Sequence, residues 1–144
     1  KLSTAKKELQ QFFANKTTDT SKIGPIAEFF IHLYLNTRGF KQQCLFLNLE
    51  EKNFKKGFDG YYIFNNNTWI MESKSGTSKT KHISHKTKIK EAYDDLKDKL
   101  SGNVNNNPWK NAYNHACCVK ASTSILTTLK QFSDNFINGN STYL

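Results

Sequence analysis

With 144 residues, the chain is long enough to bury a hydrophobic core, and its length is typical of one domain. An apolar fraction of 37%, with 11 Phe and 6 Tyr, excludes a disordered composition, and no apolar run reaches the ~20 residues of a membrane-spanning helix. The net charge of +9 favours a polyanionic partner, nucleic acid above all, although a solvated lysine-rich surface gives the same charge.

The three cysteines do not form a disulfide framework, because their number is odd and two of them are adjacent. We therefore expect a reduced protein in the cytoplasm. A zinc site made of His115, Cys117 and Cys118 fits no familiar ligand spacing, so we expect these cysteines to be small buried residues. The chain starts at Lys1 and not at Met, so we expect either a piece of a longer protein or a trimmed sequence.

Two helices are predicted at the start of the chain. Residues 3–14 follow a Ser/Thr cap and carry an apolar stripe. Residues 24–38 form the second helix, in which Pro25 suits the first helical position and Gly39 suits the stop. Because apolar residues nearly surround its axis, this second helix is expected to be buried.

The remaining elements predict an α+β fold, with a central mixed sheet that contains an antiparallel three-strand meander flanked by helices. The whole chain, 1–144, is predicted to be a single domain with its core at about 24–122. Predicted strands are residues 43–49, 58–64 and 68–75; predicted helices are 86–100 and 125–137; residues 114–122 fit a fourth strand or part of a helix.

An acid two residues before a lysine occurs three times, and about two such pairs are expected by chance. Context separates them. The pair at 95 and 97 lies on a predicted helix and indicates a solvated face, and the pair at 50 and 52 lies in a charged turn. Glu72 and Lys74 instead follow the apolar stretch 69–71 of a strand, in which residues two apart share a face.

Two more acids are predicted to lie near this pair. If the hairpin turn is centred on Asn66, Asp59 lies opposite about residue 73. Two carboxylates so close repel each other unless a cation lies between them, and Mg²⁺ takes one or two protein carboxylates. Glu28 is the one acid of an apolar helix, with His32 one turn further on.

Simpler interpretations of these residues stay open. Asp59 fits a turn acid, Glu72 with Lys74 fits an exposed salt bridge, and Glu28 fits a pair with His32.

The order of these residues and elements resembles the PD-(D/E)xK nuclease superfamily, which has the restriction-endonuclease-like fold. The resemblance covers about residues 24–100: "IAEFF" supplies Glu28, "FDG" supplies Asp59, and "MESKSG" supplies Glu72 and Lys74. Phe58 replaces the proline that often precedes the aspartate. More finely, the blocks "AEFFIHLYL", "GFDG", "ESKSG" and "EAYDDL" resemble the effector nuclease of the Hachiman antiphage system.

The resemblance implies a Mg²⁺-dependent endonuclease, with Mn²⁺ as a substitute, that cuts DNA in preference to RNA and leaves a 5′-phosphate. Asp59, Glu72 and the carbonyl of Ser73 would bind the metal, and Glu28 would hold a second metal or orient a metal-bound water. Lys74 would position or deprotonate the attacking water. The implied role is antiphage defence or restriction. This role is compatible with a partner subunit or domain that controls activity, and no membrane partner is expected.

Two alternatives stand beside this interpretation: a secreted nuclease toxin domain of bacterial competition, and a non-catalytic basic domain that binds nucleic acid with the same fold. A basic segment follows the proposed active strand, and its lysines would grip phosphates beside the cut unless they are a solvated helix start. With a single Arg, the chain has no evident means of reading bases. The segment's candidate nucleic-acid-binding residues are Lys79, Lys81, Lys86 and Lys88.

Overall fold

The computed structural model describes residues 2–43 and 57–140, which form five helices and a three-stranded sheet. The α+β class predicted from the sequence is confirmed. No helix within these ranges is both long and apolar enough to cross a membrane. In chain order the elements are α1 (Leu2–Ala14), α2 (Asp19–Thr37), β1 (Lys41–Gln42), β2 (Gly60–Phe64), β3 (Asn67–Met71), α3 (His85–Leu100), α4 (Pro108–Cys118) and α5 (Thr123–Ile137).

The three described strands form an antiparallel meander in the order β1-β2-β3. The first strand starts at Lys41, earlier than predicted, and residues 44–49 of the predicted strand lie outside the described part of the chain. The mixed sheet expected from the sequence is not found among the described residues, because residues 114–118 belong to α4. Of the two alternatives for that segment, helix is the right one.

Helix α2 begins at Asp19, and the prediction of a start at Pro25 is wrong. Thr18 caps the helix: its Oγ1 accepts a hydrogen bond from the Ser21 amide at 3.2 Å, and the Ser21 hydroxyl lies 3.3 Å from the Thr18 amide. This capping box starts the helix upstream and leaves Pro25 inside it. The predicted stop holds, because Gly39 adopts φ +87° just after the helix end.

The prediction that α2 is buried is also wrong for most of its apolar residues. Phe30 and Tyr34 are more than half exposed, whereas His32 is 6% exposed and Glu28 is largely covered. The polar pair therefore lies on the side that faces the sheet, where Tyr62 of β2 meets His32. Since the described elements cover only that side, the apolar residues on the other side stay accessible.

The main core lies between the sheet and the last two helices. Tyr61 points to one face of β2 and joins Trp109, Ala112 and Ala116 of α4 and two aliphatic residues of α5. Tyr62, the next residue, points to the opposite face, toward α2, because side chains alternate along a strand. The two tyrosines of the "DGYY" stretch thus attach β2 to helices on both sides and fix the position of Asp59 at its start.

Candidate active site

The β2–β3 hairpin sets which residues meet at its open end. Its turn has two residues, Asn65 and Asn66, both left-handed with φ of 50° and 62°, as in a type I′ hairpin turn. This turn pairs Gly60 with Met71, whereas a turn centred on Asn66 would pair Gly60 with residue 72. The observed register is therefore shifted by one residue from the predicted one. Asp59 immediately precedes β2 and Glu72 immediately follows β3, so the two residues lie opposite each other at the end of the hairpin.

Asp59 is held by residue Ser73 on the neighbouring chain segment. The amide and the hydroxyl of Ser73 both donate to Asp59 Oδ2, each at 2.8 Å. Gly60 follows Asp59, and a β-carbon there would lie 2.5 Å from the ring of Tyr62, so the close packing of this ring needs a glycine. The Asp59 carboxylate is therefore fixed at the hairpin end by both local packing and hydrogen bonds.

Glu72 and Lys74 lie just beyond β3, which ends at Met71 and not at residue 75 as predicted. Residues 72–77 form neither helix nor turn. The two side chains still meet, because Lys74 Nζ donates a hydrogen bond to Glu72 Oε1 at 2.7 Å. Glu72 and Lys74 are thus neighbours, as predicted for residues two apart on a strand, although the strand itself is shorter.

The Glu72 carboxylate is deeply buried, with only 3% of its side chain exposed, and it has a second lysine partner that the sequence did not reveal. Lys99 of α3, 4% exposed, donates to Glu72 Oε2. Each oxygen of Glu72 therefore faces one ammonium group. The signal in the sequence was weak: Lys99 interrupts a helix face that otherwise carries Leu96 and Leu100.

Asp95 also belongs to this cluster, so its interpretation as part of a solvated face is wrong. Its Oδ2 accepts a hydrogen bond from Lys74 and lies 3.5 Å from Lys99 Nζ, one helical turn further on. The helix turns Asp95 and Lys99 toward the hairpin end. Lys97, two residues from Asp95, points in a different direction on the helix, whereas Lys99 at the i,i+4 position lies on the same side as Asp95.

On the other side of the hairpin, Glu28 is part of a buried polar chain. His32 Nε2 lies 3.7 Å from Glu28 Oε1, and His32 Nδ1 makes a hydrogen bond with the Tyr62 hydroxyl. The i,i+4 pair anticipated on α2 is therefore present. This pair with His32 places Glu28 on the face of β2 that meets α2.

The acids of the cluster influence one another's protonation. The pKa of Glu72 is raised to about 7, first because burial disfavours its charged form and next because the charge of Asp59 repels it, against the opposing effect of the two lysines. Burial likewise raises the pKa of Glu28, with a further contribution from Asp59 and opposition from His32. The charge of Asp59 thus acts on the carboxyl groups of both Glu72 and Glu28.

The lysine at the centre of the cluster stays charged. Burial alone would lower the pKa of Lys74, but hydrogen bonds to Asp95 and Glu72 outweigh burial and raise it above its usual value. Partial burial would raise the pKa of Asp95, and the hydrogen bonds and positive charges around it outweigh this effect and lower it to about 2. Lys74 is therefore an ammonium group at neutral pH.

The four candidate nucleic-acid-binding lysines do not all lie near the cluster. Lys88 borders the same cavity as Glu72 and Lys74, and it pairs with Glu91 at 2.6 Å. Lys79 borders a different cavity, next to the start of α2. Lys81 and Lys86 are exposed. The cavity at Glu72 has a volume of about 310 Å³ and is lined by Ile31, Met71, Glu72, Ser73, Lys74, His85, Lys88, Ile89 and Ala92.

The adjacent cysteines contribute nothing to this cluster. Cys117 and Cys118 are exposed free thiols at the end of α4, so the expectation that they are buried is wrong. They lie in the last turn of a helix whose inward side is occupied by Trp109, Ala112 and Ala116. Cys44 lies outside the described residues.

A family model described as HamA matches residues 1–137. The chain belongs to the HamA family. This family is a component of the Hachiman antiphage system, so the chain is linked to antiphage defence. No curated protein and no solved structure matches the chain.

Any Mg²⁺ site of this HamA-family chain would depend on a small number of carboxylates. No group of three or more His, Cys, Asp or Glu side chains within residues 2–43 and 57–140 is arranged to hold a metal ion. Mg²⁺, however, keeps several waters and needs only one or two protein carboxylates. Asp59 and Glu72 supply two, and their mutual repulsion is what a divalent cation would relieve. Binding of Mg²⁺ by Glu72 would require the metal to replace at least one of its two lysine partners.

The raised pKa of Glu72 predicts how stability depends on pH. Between 4.5, its ordinary value, and about 7, the folded chain keeps a proton that the unfolded chain has lost. The free energy of unfolding contributed by Glu72 therefore falls as pH rises through this interval. We expect the free energy of unfolding of wild type minus that of Glu72→Gln, measured by urea unfolding at several pH values, to fall as pH rises from 4.5 to 7. A difference that grows with pH would contradict this.

Proposed function

We propose that this HamA-family chain is a metal-dependent nuclease of Hachiman defence, with a PD-(D/E)xK site, that hydrolyses phosphodiester bonds in DNA in preference to RNA. The observation that supports this most is the end of the β2–β3 hairpin. There, Asp59 and the buried Glu72 lie together with the charged Lys74. The order of these residues is that of the nuclease superfamily which the sequence resembles.

A purely binding role explains this arrangement poorly. A domain that only binds a polyanion gains nothing from buried carboxylates beside its basic surface, because they repel phosphate. Glu72 is nonetheless kept buried, and its pKa is raised by burial and by the charge of Asp59. Carboxylates that crowd together in this way are suited to a divalent cation, which would then attract the phosphate. The family match favours defence over a toxin of bacterial competition.

The chain's own residues divide the work as follows. Asp59 and Glu72 would hold Mg²⁺ with the carbonyl of Ser73, and the metal, when bound, would supply a water of lowered pKa and polarise the scissile phosphate. Lys74 is an ammonium held by Glu72 and Asp95, so it orients the attacking water and offsets the charge that develops on the phosphate. A group held charged in this way is poorly suited to accept the proton, which favours positioning over deprotonation for Lys74.

The proposal is tested by incubating the protein with supercoiled plasmid, single-stranded DNA and RNA, each with Mg²⁺, with Mn²⁺ and with EDTA. We expect cleavage of DNA with either metal, 5′-phosphate ends, and no cleavage with EDTA. Asp59→Asn should abolish cleavage because it removes one of the two metal-binding charges. Asp134→Asn is the matched control, since Asp134 is an exposed acid paired with Lys130 on α5.

Two outcomes would overturn the nuclease proposal. If the protein binds DNA with steep salt dependence but never cuts DNA or RNA with either metal, it is a non-catalytic nucleic-acid-binding domain. If it binds no nucleic acid, or binding ignores salt, the basic surface is solvated and serves another partner. Cleavage that survives in Asp59→Asn would keep the activity but remove this site.

A further inference from the structure

We propose that Asp95 and Lys99, one turn apart on α3, are positioning residues of the active site: Lys99 orients Glu72, and Asp95 orients Lys74. This inference rests on the proposed nuclease function. It adds a helix to a site that the sequence pattern placed on the hairpin and α2 alone.

The four side chains form a closed ring of alternating charges. Lys74 binds Glu72 Oε1 at 2.7 Å, Lys99 binds Glu72 Oε2, Asp95 lies 3.5 Å from Lys99, and Asp95 also binds Lys74. Two members come from the hairpin end and two from α3. With both oxygens of Glu72 and the ammonium of Lys74 engaged, the ring leaves neither side chain free to choose another rotamer without breaking an ion pair.

Stability alone does not account for Lys99. An ammonium and a carboxylate that are each about 4% exposed or less have lost most of their hydration, and their attraction only roughly repays this cost. Replacement of such a buried pair by apolar residues of similar size is often neutral or stabilising. The more informative property of this pair is its geometry, because it attaches α3 directly to the carboxylate that the nuclease proposal assigns to the metal.

The rest of α3 gives few other means of fixing it to the hairpin end. Ile89 and Tyr93, on the turns before Asp95, are about two-thirds exposed. Lys99 is the buried residue of the helix, and Leu100 next to it packs against the core. The ion-pair ring is therefore a direct contact between α3 and the side chains of Glu72 and Lys74.

The test uses Asp95→Asn and Lys99→Met, which keep side-chain size and remove one charge each. For a residue that orients a metal-binding or reacting group, we expect a loss of about 10–100-fold in kcat, with KM for DNA unchanged. Lys99→Met should also weaken Mg²⁺ binding by a similar factor in calorimetric titration of the protein without DNA. Asp95→Asn should leave Mg²⁺ affinity nearly unchanged, because it acts on Lys74.

Double variants separate orientation from general damage. If Asp95 acts through Lys74, then Asp95→Asn should cost no further activity in a Lys74→Met background. Asp94→Asn, the neighbouring exposed acid of α3, and Lys130→Met, an exposed lysine of α5, are the matched controls and should behave as wild type. Thermal unfolding of every variant is measured alongside, with midpoints expected close to wild type for Asp95→Asn.

The inference fails if wild type cleaves DNA while both Asp95→Asn and Lys99→Met match it in kcat and Mg²⁺ affinity. It also fails if activity falls only in step with loss of folded protein, since that is a structural role. If Lys99→Met does not fold, Asp95→Asn decides the question by its kcat and its double-variant cycle. A wild-type protein that cleaves no nucleic acid overturns the proposed function, and unchanged Mg²⁺ affinity in Lys99→Met then also removes the positioning role.

Discussion

Lys74→Ala is expected to lower the rate of DNA cleavage by roughly 10²–10³-fold, the usual cost of removing one group that stabilises charge in the transition state. Lys74 is bound by Glu72 and Asp95 and stays charged, so its loss removes a fixed positive charge beside the proposed metal site. Measured by single-turnover cleavage of a labelled DNA at saturating protein, the loss should appear in the rate constant of the cleavage step. Affinity for DNA should change far less, because the chain carries many other lysines.

Lys130→Ala is the matched control for this substitution. Lys130 also forms a lysine–carboxylate pair, with Asp134 at 2.8 Å, but both partners are mostly exposed and lie on α5. It should cleave DNA like wild type, because an exposed pair of this kind contributes little even to stability. Equal activity of wild type and Lys74→Ala would rule out Lys74 as a catalytic residue.

Trp109→Ala is expected to have the largest effect on stability, a loss of about 3–5 kcal/mol in the free energy of unfolding. Trp109 is fully buried at the start of α4, with ring centres 4.6 Å from Phe58 and 4.7 Å from Phe132. Phe58 immediately precedes Asp59, so the cavity would also loosen the start of β2. Urea unfolding followed by circular dichroism measures the loss directly.

Trp69→Ala provides a control with the same change in side-chain size. Trp69 lies on β3, is about half exposed and meets the ring of Phe40 at 5.8 Å. Its loss should therefore cost well under half as much as that of Trp109, because it leaves no enclosed cavity. Similar losses for both tryptophans would mean that the core does not centre on Trp109.

The sequence was sufficient to predict the hairpin and the residues at its end, because a strand alternates its side chains and a short polar turn limits the register. It placed Asp59 opposite about residue 73, one residue away from the observed register, in which Asp59 is level with Glu72 and accepts hydrogen bonds from Ser73. It misplaced the start of α2, since Pro25 is tolerated inside a helix that Thr18 caps upstream. Proline is favoured at the first helical position, but the capping box at Thr18 starts the helix further upstream.

Local pattern on its own thus determined the α+β class, the meander of described strands and the pairing of Glu72 with Lys74. Only the tertiary structure decided which helix completes the cluster. Asp95 and Lys99 are more than 20 residues from Glu72, and no periodicity tells which face of α3 turns toward a hairpin. That choice depends on packing between elements distant in the sequence, and it makes a partly buried ion-pair ring out of charges that, in the sequence, look like a solvated helix face.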